Sequence, residues 1–165
     1  MKNFTRFSLL AAVIATASTL SVSALAATAT GTASATVLAP IAIAAGTALN
    51  FGTLAGNASG GTVVVTAAGA RSTTGTVVVT GAAFSAGAFT VTGTGASTFA
   101  VTYPGSFNVS ANAGANTMAV VVNGAATGTL VGGTVSLPVG GTLTVGANQV
   151  AGSYTGTYTM TVEYN

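Results

Sequence analysis

"GSYTGTYTMTVEYN", Gly152–Asn165, closes the chain. Tyr154, Tyr158, Met160, Val162 and Tyr164 all occupy even positions, while threonine or Glu163 fills most of the odd ones. A period of two is the mark of a half-buried β-strand; an amphipathic helix would repeat its apolar residues every three to four. The rest of the chain agrees with this ending. It is rich in Val, Thr, Ala, Phe and Tyr, residues that suit a pleated surface, and glycine punctuates it where turns are needed. Short strands are predicted at Leu49–Leu54, Thr62–Thr66, Thr76–Thr80, Phe89–Gly93, Thr98–Tyr103, Thr117–Val122, Gly133–Leu137, Gly141–Gly146 and Tyr154–Tyr164. Many short strands at this spacing predict an all-β sandwich or barrel. The pentapeptide "TVVVT" occurs twice, at Thr62 and Thr76, each time after a glycine, but no longer repeat surrounds it, so both copies read as core strands and not as a solenoid repeat.

The opening residues have a different character. "MKNFTRFSLLAAVIATASTLSVSALA" carries Lys2 and Arg6, an apolar run from Phe7, and a small-residue exit at Ala24-Leu25-Ala26. This is the layout of a secretory signal peptide cleaved after Ala26. Of the chain's three basic residues, two lie in that segment. From Ala27 on, the only charged side chains are Arg71 and Glu163, so the domain is neutral and has no basic face for phosphate. Cysteine is absent, which removes the disulfide staple common outside the cytoplasm. A β-rich chain with so little charge and proline is expected to associate strand to strand.

Between these ends lies "ATATGTASATVLAPIAI", Ala27–Ile43. Its odd positions are small or aliphatic and most of its even ones are Thr or Ser. Pro40 has no N–H to give a ladder, so Ala27–Ala39 is predicted as one strand and Ile41 as the start of another. The organisation expected is therefore a signal peptide at 1–26, an N-terminal extension at 27–39 and a sandwich domain at 40–165.

The residue inventory leaves no obvious route to catalysis. After Ala26 there is no His, Cys, Asp or Lys, and Glu163 is the one carboxylate side chain. General acid–base and nucleophilic mechanisms need paired titratable groups, and metal sites need imidazole, thiolate or several carboxylates. No catalytic residue, metal or cofactor is expected. The glycine-rich stretches "GNASGG" and "GTGAS" lack a phosphate-loop lysine and read as turns.

Counted from the C-terminus, a glycine (Gly152), alternating apolar residues (Tyr158, Met160, Val162) and a penultimate aromatic (Tyr164) resemble the terminal signature of chaperone–usher pilus subunits. Ala48–Val65, Gly141–Gly146 and Ala151–Asn165 also resemble a group of Gram-negative secreted proteins catalogued as a domain of unknown function and related to spore coat protein U type pilins. The resemblance spans nearly all of the chain after Ala26. It departs from many pilins in lacking a disulfide.

The resemblance implies an immunoglobulin-like β-sandwich that lacks its final strand and is completed by a strand from a neighbour. It implies export to the periplasm, a periplasmic chaperone and an outer-membrane usher as partners, and a head-to-tail polymer of the chain at the cell surface. On this reading the donor strand presents Ala27, Ala29, Gly31, Ala33, Ala35 and Val37, and the acceptor and chaperone-recognition strand presents Gly152, Tyr154, Tyr158, Met160, Val162 and Tyr164. The donor residues are small. At about 0.8 kcal/mol per buried CH₂ they add little beyond register, so backbone pairing would carry the affinity. The opposite phase would bury Thr28, Thr30, Thr32 and Ser34, whose hydroxyls need partners. Two other readings stand beside the fibre subunit: a secreted binding module whose threonine-rich strands face ice or carbohydrate, and an outer-membrane β-barrel. Barrel strands need about 9–11 residues to span, longer than most predicted here.

Overall fold

Residues 26–165 are described by the structure, a computed structural model. The expected signal segment lies outside the described residues except for Ala26. The chain divides into two units, Met1–Ala35 and Thr36–Asn165. Among the described residues of the first unit, 26–35, every one is exposed and none is in a strand.

The second unit is all-β. Its strands are β1 (Ala42–Ala45), β2 (Thr53–Ala55), β3 (Gly61–Val65), β4 (Arg71–Gly75), β5 (Val78–Thr80), β6 (Gly87–Thr92), β7 (Thr98–Thr102), β8 (Phe107–Ala111), β9 (Asn116–Gly124), β10 (Thr127–Thr129), β11 (Thr134–Val145) and β12 (Thr161–Tyr164). One 3₁₀ turn, Asn112–Gly114, joins β8 to β9. All strand pairs are antiparallel. A seven-stranded sheet holds β1, β6, β11, β3, β4, β9 and β8; β10, β7 and β12 form a three-stranded sheet, and β2 with β5 a ribbon.

The arrangement is a β-sandwich, with the long sheet covered on one face by the two smaller ones. Its centre is β11. Over Thr134–Val139 it pairs with β6, and from Val139 onward it pairs with β9 and β3. The sequence predicted two strands here, broken between Leu137 and Gly141; the structure runs one through both. Pro138 is tolerated because β11 is paired on one edge only at that position. Gly140 follows, where an added Cβ would stand 2.5 Å from the Val65 carbonyl oxygen. The backbone contact at this crossing admits only glycine, and β11 can pass from β6 to β3 without breaking.

Two hydrophobic clusters form the core. The first gathers Val91, Phe99, Val101, Val122, Leu130, Leu137, Val139, Met160 and Val162 between the long sheet and the three-stranded sheet. The second gathers Val63, Val77, Met118, Val120, Leu143 and Val145, with Leu54 of β2 and Val79 of β5 packed against it from the ribbon side.

Three expectations need correction. The strand predicted over Ala27–Ala39 does not form: residues 26–41 carry no strand, and Val37 is 91% exposed. A strand's backbone groups are satisfied only by a neighbouring strand, and side chains as small as these bury too little to hold the segment otherwise. The strand predicted over Tyr154–Tyr164 is regular only over Thr161–Tyr164, preceded by a single bridge between Thr155 and Ser110. The second "TVVVT" is no core strand of the main sheet; its Val78–Thr80 belongs to the β2–β5 ribbon, with Val78 58% exposed.

Candidate functional site

The last strand of the chain is an edge. β12 pairs with β7, and among the described residues no strand covers its other side. β1 likewise pairs with β6 alone. The segment that leads into β12 borders a cleft of about 790 Å³. One wall is Leu49–Gly56, which ends in β2; the other is Gln149–Gly156 with Tyr158 beyond it. The floor is Phe107, Val109, Met118 and Leu143, so the second core cluster comes to the surface here. A smaller cavity of about 260 Å³ adjoins it, sharing Leu49, Gly156 and Tyr158 and reaching Ala45 at the end of β1.

The first wall is braced from behind. Asn50 exchanges backbone hydrogen bonds with Ser85, each 2.9 Å, and its side-chain oxygen accepts the Gly52 N–H at 2.8 Å. Arg71 donates from Nη1 to the Phe51 carbonyl (3.2 Å) and from Nη2 to the Gly81 carbonyl (2.8 Å), with its guanidinium 4.3 Å from the Phe84 ring centroid. The one cation of the domain thus has a structural role: it ties the wall to the turn after β5. Gly52 has φ of +83°, and a Cβ there would overlap the guanidinium.

The second wall is held by Tyr154, whose hydroxyl donates to the Val150 carbonyl (2.7 Å) and accepts from Gln149 Nε2 (2.8 Å). Gly156 then crosses β8 so closely that a Cβ would sit 2.5 Å from the Asn108 carbonyl oxygen. That crossing ends regular pairing and explains why the alternation of Tyr154–Tyr164 outlasts its strand.

The six residues predicted for the acceptor strand divide into two groups. Gly152, Tyr154 and Tyr158 line the cleft. Met160 and Val162 are buried in the first core cluster, and Tyr164 packs against that cluster. The even face does point inward, as the alternation requires, but most of its far end is closed over by the protein's own sheets. Tyr158 stacks on Phe107 (centroids 5.1 Å apart) and meets Phe89 edge-on (5.9 Å). Burial raises the pKa of the Tyr158 phenol; burial, and then the nearby Tyr158, raise that of Tyr103. The predicted donor residues Ala27, Ala29, Gly31, Ala33, Ala35 and Val37 are all exposed.

Sequence reasoning missed the floor and the first wall as site residues. Leu49 and Phe51 alternate within a predicted strand, a signal that they face one side, but nothing local says which side or what lies opposite. Among the described residues no charged side chain lines the cleft. Its polar groups are amides, hydroxyls and backbone, set around an apolar floor. Such a trough suits a neutral extended segment, with main-chain groups bonding to the walls and small side chains resting on the floor.

Fold and cleft together define an all-β sandwich domain with an unpaired outer edge on its final strand and a cleft beside its second core cluster. The chain belongs to the family described as Domain of unknown function (DUF4402), whose model matches residues 41–164. No curated protein and no solved structure matches the chain.

Proposed function

We propose that this protein is a structural subunit of an extracellular fibre, exported through the periplasm and assembled head to tail by donor-strand exchange with the help of a periplasmic chaperone and an outer-membrane usher. One observation carries the reading: a core cluster borders an uncharged cleft walled by the segment that leads into a last strand whose outer edge is unpaired. An edge of this kind invites association unless another strand covers it. A second observation supports it. Residues 26–40 are exposed, alternate between small and hydroxyl side chains over Ala27–Thr36, and have no strand partner within the described chain. In this reading they supply the missing strand to the cleft of the next copy, giving an immunoglobulin-like sandwich completed in trans. The odd phase, Ala27 to Val37, faces the floor, and backbone pairing supplies most of the affinity.

Deleting Ala27–Val37 tests the proposal. The shortened subunit is expected to accumulate with its chaperone and to form no fibres when sheared surface material is viewed by electron microscopy. Normal fibres from the deletion would refute donor-strand assembly.

A further inference from the structure

The penultimate residue makes a contact that the alternation of the last strand does not foretell. Tyr164 Oη donates to the Ala39 carbonyl at 2.9 Å and accepts the Thr94 N–H at 2.8 Å. Thr94 Oγ1 in turn accepts the Ala39 N–H at 2.6 Å. Both backbone groups of Ala39 are therefore held, one by the C-terminal strand and one by the loop after β6. The pocket for the hydroxyl is shaped for it: at Gly93 any Cβ would overlap Tyr164 Oη and stand 2.9 Å from Leu130 Cδ1. The Gly93 N–H is fixed to the Gly133 carbonyl at 2.9 Å, and Gly133 donates to the Gly95 carbonyl at 2.9 Å, so the loop carrying Thr94 is itself anchored. Beyond Ala39 the chain continues at once into β1, with Ile41 and Ile43 packed on the first core cluster.

We infer that Tyr164 and Thr94 pin the root of the N-terminal extension at Ala39 and thereby deny it the cleft of its own chain, so that the occupant of each cleft is the extension of a second copy. The inference rests on the strand-exchange reading above. To reach its own cleft, the segment before Ala39 must run back along β1 toward Ala45, where the smaller cavity adjoins the cleft, and so must reverse direction within Ala39–Ala42. A reversal there places Pro40 at the first central position of a turn, which the ring allows, and calls on the Ala39 carbonyl to close it. That carbonyl is the one Tyr164 holds, and swinging the chain also breaks the Ala39 N–H bond to Thr94. The pin therefore acts on the choice between closing in cis and pairing in trans. Tyr164 is a positioning residue for the extension and not a part of the cleft.

The test compares the full chain with Tyr164→Phe and Thr94→Val. Each is refolded from denaturant over a range of concentrations, sized by light scattering, and challenged with a fluorescent peptide of residues 27–38. The wild type should give multimers that grow with concentration, and its unfilled clefts should take up peptide. Tyr164→Phe should raise the monomer fraction by about fivefold, the ratio expected for losing the one hydrogen bond that holds Ala39, and those monomers should refuse the peptide because their own extension fills the cleft. Thr94→Val leaves the tyrosine in place and should shift the balance the same way, which decides the matter if Tyr164→Phe does not fold. The pin is overturned if the variants form multimers as the wild type does, or if their monomers accept the peptide as readily as wild-type clefts. A wild type that neither multimerises nor binds peptide refutes strand exchange itself, and the pin's role with it.

Discussion

The cluster around Phe99 and the cluster around Met118 are built from the same residue types but are closed differently. Phe99, Leu137 and Val162 lie between two hydrogen-bonded sheets, the long one and the three-stranded one. Met118, Leu143 and Val120 have the β2–β5 ribbon on one side, and part of their surface, including Met118 and Leu143, forms the cleft floor. The ribbon is short, β2 and β5 having three residues each, and cannot cover what the three-stranded sheet covers at the other end. The side chains of both clusters are buried, but only the second borders an open cleft. The difference comes from covering strands, not from hydrophobicity.

This contrast can be broken most severely at Val162. Replacing it with Asp puts an unpaired charge into the closed cluster and is expected to cost more than about 4 kcal/mol, enough to abolish folding; soluble yield and circular dichroism read the loss. The neighbouring Thr161→Asp, on the exposed face of the same strand, should stay within about 0.5 kcal/mol in urea melts. A smaller effect separates the clusters directly. Leu137→Ala and Leu143→Ala remove the same atoms, and such changes cost about 2–5 kcal/mol depending on how far the site relaxes. Leu137 should fall near the upper end because nothing can fill its cavity. Leu143 is as buried as Leu137, but the cavity left by its truncation would open to the cleft, so it should fall near the lower end; equal values by chemical denaturation would show that the cleft is closed in solution.

Occupying the cleft should sharpen the contrast from the other direction. Peptide 27–38 at a hundred times its Kd is expected to add about 2.7 kcal/mol of stability. Hydrogen exchange should then slow at β8 and β9 amides around the second cluster and stay unchanged at β7 and β12. Uniform slowing would mean that the two halves behave as one.

The smallest effect is that of alkali. The phenols of Tyr158 and Tyr103 have folded pKa values above the ordinary value of 10.0. Their neutral forms are favoured by the fold, so this stability is fully present below pH 10 and is lost as pH rises through the raised values. The melting temperature should be level through neutral pH and decline above about pH 10. Tyr158→Phe should flatten that decline, and a decline starting near pH 8 would assign it to other groups.

The two copies of "TVVVT" show how far a local pattern reaches. In the first, Val63 and Val65 are fully buried in β3, between β11 and β4. In the second, Val77 is buried just before β5 begins, and Val78 is mostly exposed on a ribbon paired only to β2. Identical residues meet different neighbours. β4 shows the converse: "RSTTG" has no apolar alternation, yet it pairs along the whole of β3, with Thr74 Oγ1 2.6 Å from Thr62 Oγ1. β10, "TGT", escaped notice for the same reason, whereas β8 carries the alternation in Phe107, Val109 and Ala111 and was overlooked in spite of it.

From sequence alone, the period of two at Met160, Val162 and Tyr164, the near absence of charge, and the β-branched, glycine-punctuated composition determined an all-β domain and the inward face of its last strand. These are local properties, set by the pleat and by the cost of burying polar groups. The tertiary structure alone decided that β11 is one strand through Pro138, that Gly156 ends the pairing of the C-terminal segment, that Leu49–Gly56 faces Gln149–Gly156 across a cleft, and that Tyr164 reaches Ala39. Each depends on which distant segment lies alongside, and strand pairing is a relation between two stretches of chain that neither carries by itself.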